Sequence, residues 1–172
     1  MLTESRDTST GLVLRMGQMA DFGQDQRASA RQLLDLVFEA RMSDADWVQG
    51  LGGLHVLAWA EDQLVGHASL IQGRLLYCGR ALRTGYVDAV AVHPDRQRHG
   101  IGASMMDALE EIIDTTLELG ALGASDPAAA FYRKRGWLEW QGPPSDLSPW
   151  DGGRLPEPEA KVFVFPGGGA AR

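Results

Sequence analysis

One cysteine, Cys78, stands among 172 residues, which excludes an internal disulfide and a cysteine-ligated metal cluster. Basic residues are scarce too: 16 Lys and Arg face 23 Asp and Glu, a formal net charge of −7. Affinity for a phosphate backbone comes mostly from clustered Lys and Arg, so nucleic acid is disfavoured as a partner. An acidic surface instead attracts a polycation, or serves solubility alone. No run approaches the roughly 20 apolar residues of a membrane span. The start, MLTESRDTSTG, lacks the basic region and apolar core of a secretory signal. These absences lead us to expect a soluble cytoplasmic protein without a membrane partner. No histidine–carboxylate spacing suggests a metal site, and His55 and His67 lie within apolar strands, where packed core histidines are common.

The length suits one domain, large enough to build a core without disulfide or metal staples. Residues 1–10 are polar and expected to fray, and residues 11–16 read as a first strand. Leu33, Leu34, Val37 and Phe38 share one helical face within 27–40. Ser43 before DADW is a helix-start signal, with Asp44 and Asp46 in the first turn. Apolar runs predict strands over 54–60, 64–72 and 82–92. A long amphipathic helix begins at Ile101, with Met105, Leu109, Ile112 and Ile113 opposite Asp107, Glu110, Glu111 and Asp114. A short strand over 121–124 follows, then a helix from Pro127 to Arg135 capped by Gly136, and strands over 137–140 and 162–165. The Pro/Gly-rich stretch between the last two shows no periodicity. Antiparallel hairpins followed by one β-α-β crossover imply an α+β fold with a mixed, mostly antiparallel twisted sheet flanked by helices. We expect one domain over 11–166, between a flexible N-terminus (1–10) and a flexible tail (167–172).

The segment AVAVHPDRQRHGIGASMMDALE leads from a strand through a basic glycine turn into the long helix. Gln97, Gly100 and Gly102 fit the pattern Q/R-x-x-G-x-G/A. A helix N-terminus presents unpaired N–H groups and the positive end of the helix dipole, which hold phosphate oxygens. Glycine lets the backbone approach those oxygens. Arg96, Arg98 and His99 reverse the charge locally, and Ile101 opens the helix. A P-loop is excluded, because no GxxxxGK[ST] occurs, and a dinucleotide fingerprint fails at Met105.

This segment resembles the acetyl-CoA motif of the GNAT superfamily. LGGLHVLAW, IQGRLLY, ALRTGYVDAVAV, LGALGASD, FYRKRGWLEWQGP and VFVFP, in that order, resemble the aminoglycoside 2'-N-acetyltransferases. The resemblance implies a GNAT fold, acetyl-CoA as acetyl donor and a polycationic amine as acceptor. It implies direct transfer in a ternary complex and, since family members are commonly dimers, a possible homodimer.

Transfer to an amine requires a group that takes the ammonium proton, because alkylammonium pKa values lie near 10. Asp88, the acid within the strand over 82–92, is the candidate base. The resemblance implies that it binds the substrate amine, beside Ala89, where the family more usually carries glutamate. Tyr132 falls at the tyrosine that protonates the departing thiolate. Backbone N–H groups at Val90, Ala91 and Val92 would hold the thioester carbonyl, and Gln97, Arg98, His99, Gly100, Ile101 and Gly102 the pyrophosphate. Asp44, Gly123, Glu157 and Glu159 complete the expected acceptor site. Three features depart from the family: Arg41 stands near a usual substrate aspartate, Gly123 replaces a common serine, and PGGGAAR replaces an acidic, tryptophan-containing tail. Two other readings stay open, an acetyltransferase for another polyamine or amino sugar and a non-catalytic acetyl-CoA- or drug-binding module.

Overall fold

The computed structural model describes residues 1–7, 11–39, 41–141 and 161–171. Within them, strands β1 (Thr3–Asp7), β2 (Leu12–Gln18), β3 (Leu54–Ala60), β4 (Gln63–Tyr77), β5 (Arg80–Val92), β6 (Leu119–Ala124), β7 (Leu138–Glu139) and β8 (Lys161–Pro166) build one mixed sheet. Its order is β1-β2-β3-β4-β5-β6-β8-β7. The helices are α1 (Gln24–Val37), α2 (Asp44–Gly50), α3 (Ile101–Thr116) and α4 (Asp126–Lys134). β5 and β6 are parallel. A parallel pair cannot be joined by a tight turn, and α3 supplies the crossover. This is the α+β arrangement read from the sequence. Among the described residues no helix is long and apolar enough to cross a membrane.

The chain divides into two compact units, Met1–Ile71 with Asp88–Leu109, and Gln72–Val87 with Glu110–Arg172. In the first, the apolar stripe of α1 buries Ala30, Leu33 and Leu34. Ala30 and Leu33 pack with Met19, Phe22, Leu57 and Leu64, flanked by Trp47 and Trp59. α2 opens with a capping box: the Asp46 N–H donates to Ser43 Oγ at 3.1 Å, and the Ser43 N–H to Asp46 Oδ2 at 3.0 Å. Such a cap stabilises a helix by about 1 kcal/mol. The first turns of α3 lie directly on β4. A Cβ added at Gly66 would come within 2.9 Å of Ile101 Cγ2 and Met105 Sδ. The missing side chain thus sets how closely the start of α3 approaches the sheet.

In the second unit, Glu110 of α3 accepts from Arg135 Nε at 2.8 Å, Arg135 Nη2 at 2.6 Å and Trp137 Nε1 at 2.7 Å. The fork geometry makes this a strong charge-assisted contact, and it anchors the chain where α4 ends. Trp137, expected in a strand, is instead a buried residue just before β7.

Both chain ends are more ordered than their composition suggests. Thr3–Asp7, expected to fray, pairs antiparallel with β2 from Thr3↔Met16 to Asp7↔Leu12. Backbone pairing on an edge needs no apolar face, so a polar strand leaves no periodic signal. Residues 168–171, expected as a loose tail, form a 3-10 turn. The Gly167 N–H donates to the Glu118 carbonyl at 3.0 Å, and the Gly169 N–H to that of Leu117 at 3.1 Å. Carbonyls just past a helix end need partners from elsewhere in the chain, and the glycine N–H groups supply them here. A Cβ at Gly167 would sit 2.6 Å from the Ile113 carbonyl oxygen and closer still to that of Leu117.

Gly167→Ala should therefore lower stability by about 1–3 kcal/mol, whereas Gly52→Ala, with open space around it, should change it by less than about 0.5 kcal/mol. Thermal denaturation of both variants checks the claim, and equal midpoints would refute it.

Candidate active site

The site begins where the pairing of β5 with β6 ends. Its parallel register with β6 runs from Thr84↔Leu119 to Val87↔Leu122 and ends there. Two residues later Ala89 takes φ +50°, a left-handed conformation that costs a non-glycine residue roughly 1–3 kcal/mol. Side chains stabilise it. The Ala89 N–H donates to Asp88 Oδ1 at 2.8 Å, and His67 Nδ1 lies 2.8 Å from the Ala89 carbonyl. Ser69 Oγ donates to the Asp88 carbonyl at 3.0 Å. His67 and Ser69, two apart on β4, point to one face, so one strand grips both carbonyls of the break.

Asp88 lines a pocket with Asp46, Trp47, His55, His67 and Ser69. Burial pushes the Asp88 carboxyl above its ordinary range; the Ala89 N–H opposes this, and the negative charge of Asp46 adds to the rise. Ala89 also lines this pocket. Asp44, the expected acceptor-site acid, does not: it is exposed and pairs with Arg31 Nη1 at 3.0 Å. Residues two apart on a helix face different directions, so Asp46 enters where Asp44 cannot. The sequence placed Asp44 and Asp46 together in the first turn of the helix, and the expected acceptor site took Asp44 rather than Asp46. The same S-x-x-D signal that capped the helix fixed its direction.

After the break, Ala91 is buried, and Val90 and Val92 are half-buried. The Val92 carbonyl accepts from Gln97 Nε2 at 3.3 Å, and the His93 N–H donates to Val65 at 2.8 Å. A 3-10 turn over Pro94–Arg96 leads into Arg98 (φ +63°) and Gly100 (φ +80°). His99 Nδ1 lies 2.8 Å from the Gln97 carbonyl. The Ser104 N–H reaches back to Gly100 at 2.9 Å, so the N–H groups of Ile101, Gly102 and Ala103 precede the helix's own acceptors. A Cβ at Gly100 would meet only open space. Left-handed residues within such a turn make concave N–H nests for anions. Open room, a helix start and exposed Arg96, Arg98 and His99 fit a pyrophosphate.

In the second unit Tyr132 is buried, 6.1 Å from the ring centroids of Trp137 and Phe163. Burial pushes its phenol up to about 12, against the Arg135 charge and with that of Glu110. Gly123 is an exposed position of β6, paired with Val162. Glu157 and Glu159 lie outside the described residues.

Residues 22–137 match the Acetyltransferase (GNAT) family, and the chain belongs to it. Members of that family use acetyl-CoA as acetyl donor. The chain is 44% identical over 154 residues to the aminoglycoside 2'-N-acetyltransferase of Mycolicibacterium fortuitum, covering 90% of this chain and 79% of that relative. Among solved structures, an acyl-CoA N-acyltransferase from Pseudomonas aeruginosa matches with TM-score 0.66 at 14% identity, covering 89% of this chain and 98% of that one. A GCN5-related N-acetyltransferase from Kribbella flavida matches with TM-score 0.60 at 19% identity, over 77% of this chain but 34% of that longer one. The structural matches show the shared fold.

A carboxyl raised by burial weakens the fold when charged. Below its ordinary value of 3.8 the penalty is absent, and it grows as pH rises through the raised folded value. Asp88→Asn should therefore be more stable than wild type at pH 7, with the gain vanishing as pH falls through the carboxylate range. Denaturation midpoints at both ends of that range test this; a less stable variant at pH 7 would contradict it.

Proposed function

We propose that this protein transfers an acetyl group from acetyl-CoA to the 2'-amino group of an aminoglycoside antibiotic, a reaction that confers resistance. The 44% identity to an aminoglycoside 2'-N-acetyltransferase supports the substrate class. The observation that carries the reading is the pocket at the β5 break. Its described lining holds Asp46 and Asp88 and neither Lys nor Arg, which suits an ammonium group.

When bound, the donor supplies an activated thioester. Gln97, Arg98, His99, Gly100, Ile101 and Gly102 would hold its pyrophosphate on the N–H groups that open α3. The backbone of Val90, Ala91 and Val92, beyond the last β6 partner of β5, would orient the acetyl carbonyl. Asp88 binds the ammonium and takes its first proton, leaving a neutral amine. A second proton leaves that nitrogen as the amide forms, and the sulfur receives one. Tyr132 serves this last transfer. With the phenol near 12 and a thiol near 8.5, full proton donation is uphill by about 5 kcal/mol. Tyr132 therefore acts mainly as a hydrogen-bond donor that strengthens as charge grows on sulfur.

Thiol release with a panel of aminoglycosides is the primary test, and failure with every 2'-amine would reject the acceptor assignment. Asp88→Asn should lose about 10²-fold in turnover at pH 7 and recover part of it at higher pH, where free amine is more abundant. Tyr132→Phe should lower turnover more than affinity; unchanged turnover with chemistry shown to be rate-limiting would remove Tyr132 from the mechanism. Gly100→Val places a branched side chain at φ +80°, so calorimetry should show weaker acetyl-CoA binding in a folded variant. Equal affinity there would argue against the loop.

A further inference from the structure

His55 of β3 and His67 of β4 are 2% and 1% exposed and stand one step apart diagonally across the β3–β4 ladder, where His55 faces Ser69 and His67 faces Leu57. Their rings form a chain of short contacts. His55 Nε2 lies 3.0 Å from the Gly50 carbonyl, His55 Nδ1 lies 3.0 Å from His67 Nε2, and His67 Nδ1 lies 2.8 Å from the Ala89 carbonyl. Both end groups are carbonyls, which accept and never donate. Filling the three contacts takes three ring protons, whereas two neutral imidazoles carry two. The chain Gly50 C=O···His55···His67···O=C Ala89 is complete only when the pair holds one extra proton.

Burial opposes that extra proton at rest. Burial chiefly lowers each imidazole from 6.5 to about 4, for His67 together with the neighbouring ring, and the carbonyls of Gly50 and Ala89 partly compensate. The geometry therefore suits the protonated pair while the surroundings keep it neutral at pH 7. Groups arranged in advance for the charge that develops during a reaction need no reorganisation when it appears. The charged groups facing the pair across the pocket are Asp88 from β5 and Asp46 from α2, and the described lining has no Lys or Arg. A positive charge arriving there meets carboxylates.

We propose that the His55–His67 pair is the proton acceptor behind Asp88, taking up one shared proton when the acceptor amine is deprotonated. This rests on the reading of Asp88 as the amine site. An N–H bond of the bound ammonium breaks, its proton passes from Asp88 through pocket solvent to a ring nitrogen, and an imidazole N–H bond forms. The amine becomes neutral, and the pair becomes a monocation that fills its third hydrogen bond. The pair returns the proton to solvent after turnover, which matches the single proton released when an ammonium and a thioester give an amide and a thiol. Asp88 thus recovers its charge while the amine is still bound.

Glutamine at position 67 can donate to the Ala89 carbonyl but cannot take a proton, so it separates proton storage from support of the backbone. With an aminoglycoside bearing a 2'-amine, His67→Gln should lower turnover about tenfold or more at pH 7, at near-wild-type KM, and the deficit should shrink toward pH 9 as free amine grows. His55→Gln should behave likewise. Nitrogen-detected histidine NMR of the wild type should show both rings neutral at pH 7 and a single proton entering the pair as pH falls. Wild-type turnover in His67→Gln at pH 7, a deficit equal at every pH, or independent protonation of the two rings would overturn the proposal. An inactive wild type would instead defeat the acceptor assignment, and the NMR titration would still decide whether the pair takes one proton.

Discussion

The left-handed backbone at Ala89 is the constraint on which the site depends. A regular β5 would continue its ladder with β6, and the backbone groups of Val90–Val92 would pair as the groups before Val87 do. Instead the register stops at Val87↔Leu122, and the chain turns at φ +50°. Strain of about 1–3 kcal/mol persists only where surroundings over-determine it. Here the Asp88 carboxylate, the His67 ring and the Ser69 hydroxyl do so. Each is also a pocket residue, so supporting the backbone and lining the site are the same task.

That arrangement places unusual polarity inside the first unit. His55, His67 and Ser69 are nearly inaccessible, and buried polar groups destabilise unless hydrogen-bonded. Their cost is offset by an apolar layer, in which Leu33, Leu57, Leu64 and Phe22 pack under Trp47 and Trp59. Trp47 belongs to this layer and to the pocket wall alike. The same helix that contributes to the core thereby delivers Asp46 to the site.

Elements with an apolar period were legible in the sequence. β3 lies where its uninterrupted apolar run predicted it, over Leu54–Ala60, and α3 begins at the predicted Ile101. The glycine turn before α3 was legible as a turn because Gly100 takes φ +80°, a conformation that favours glycine. Elements held by backbone alone were not. β1 has no apolar face, and the C-terminal glycines pack mainly against carbonyls at and just past the end of α3. At the site, Asp88 was visible as a lone acid in a strand and Asp46 as a first-turn acid, but their sharing one pocket with the histidines was not. A capping aspartate and a strand histidine have ordinary structural roles, and only tertiary placement shows them facing one pocket. Asp44 pairs with Arg31 and does not line this pocket, and one-dimensional spacing does not say which of two nearby helix acids an outside arginine will engage.

The two pocket carboxylates are not equivalent. Asp46 Oδ2 accepts from the Ser43 N–H at 3.0 Å and the Ser43 hydroxyl at 2.7 Å, so its position is fixed by the start of α2. Asp88 is raised by burial and by the charge of Asp46, and its position is fixed by the break in β5. Paired acids whose surroundings differ divide their roles. In the proposed reaction the capped acid would be the standing negative charge that draws in a cation, and the buried acid the one that holds a proton. An arriving ammonium relieves the repulsion between them. In that reaction its deprotonation would restore the repulsion unless a positive charge remained nearby, and the protonated histidine pair we propose would supply one.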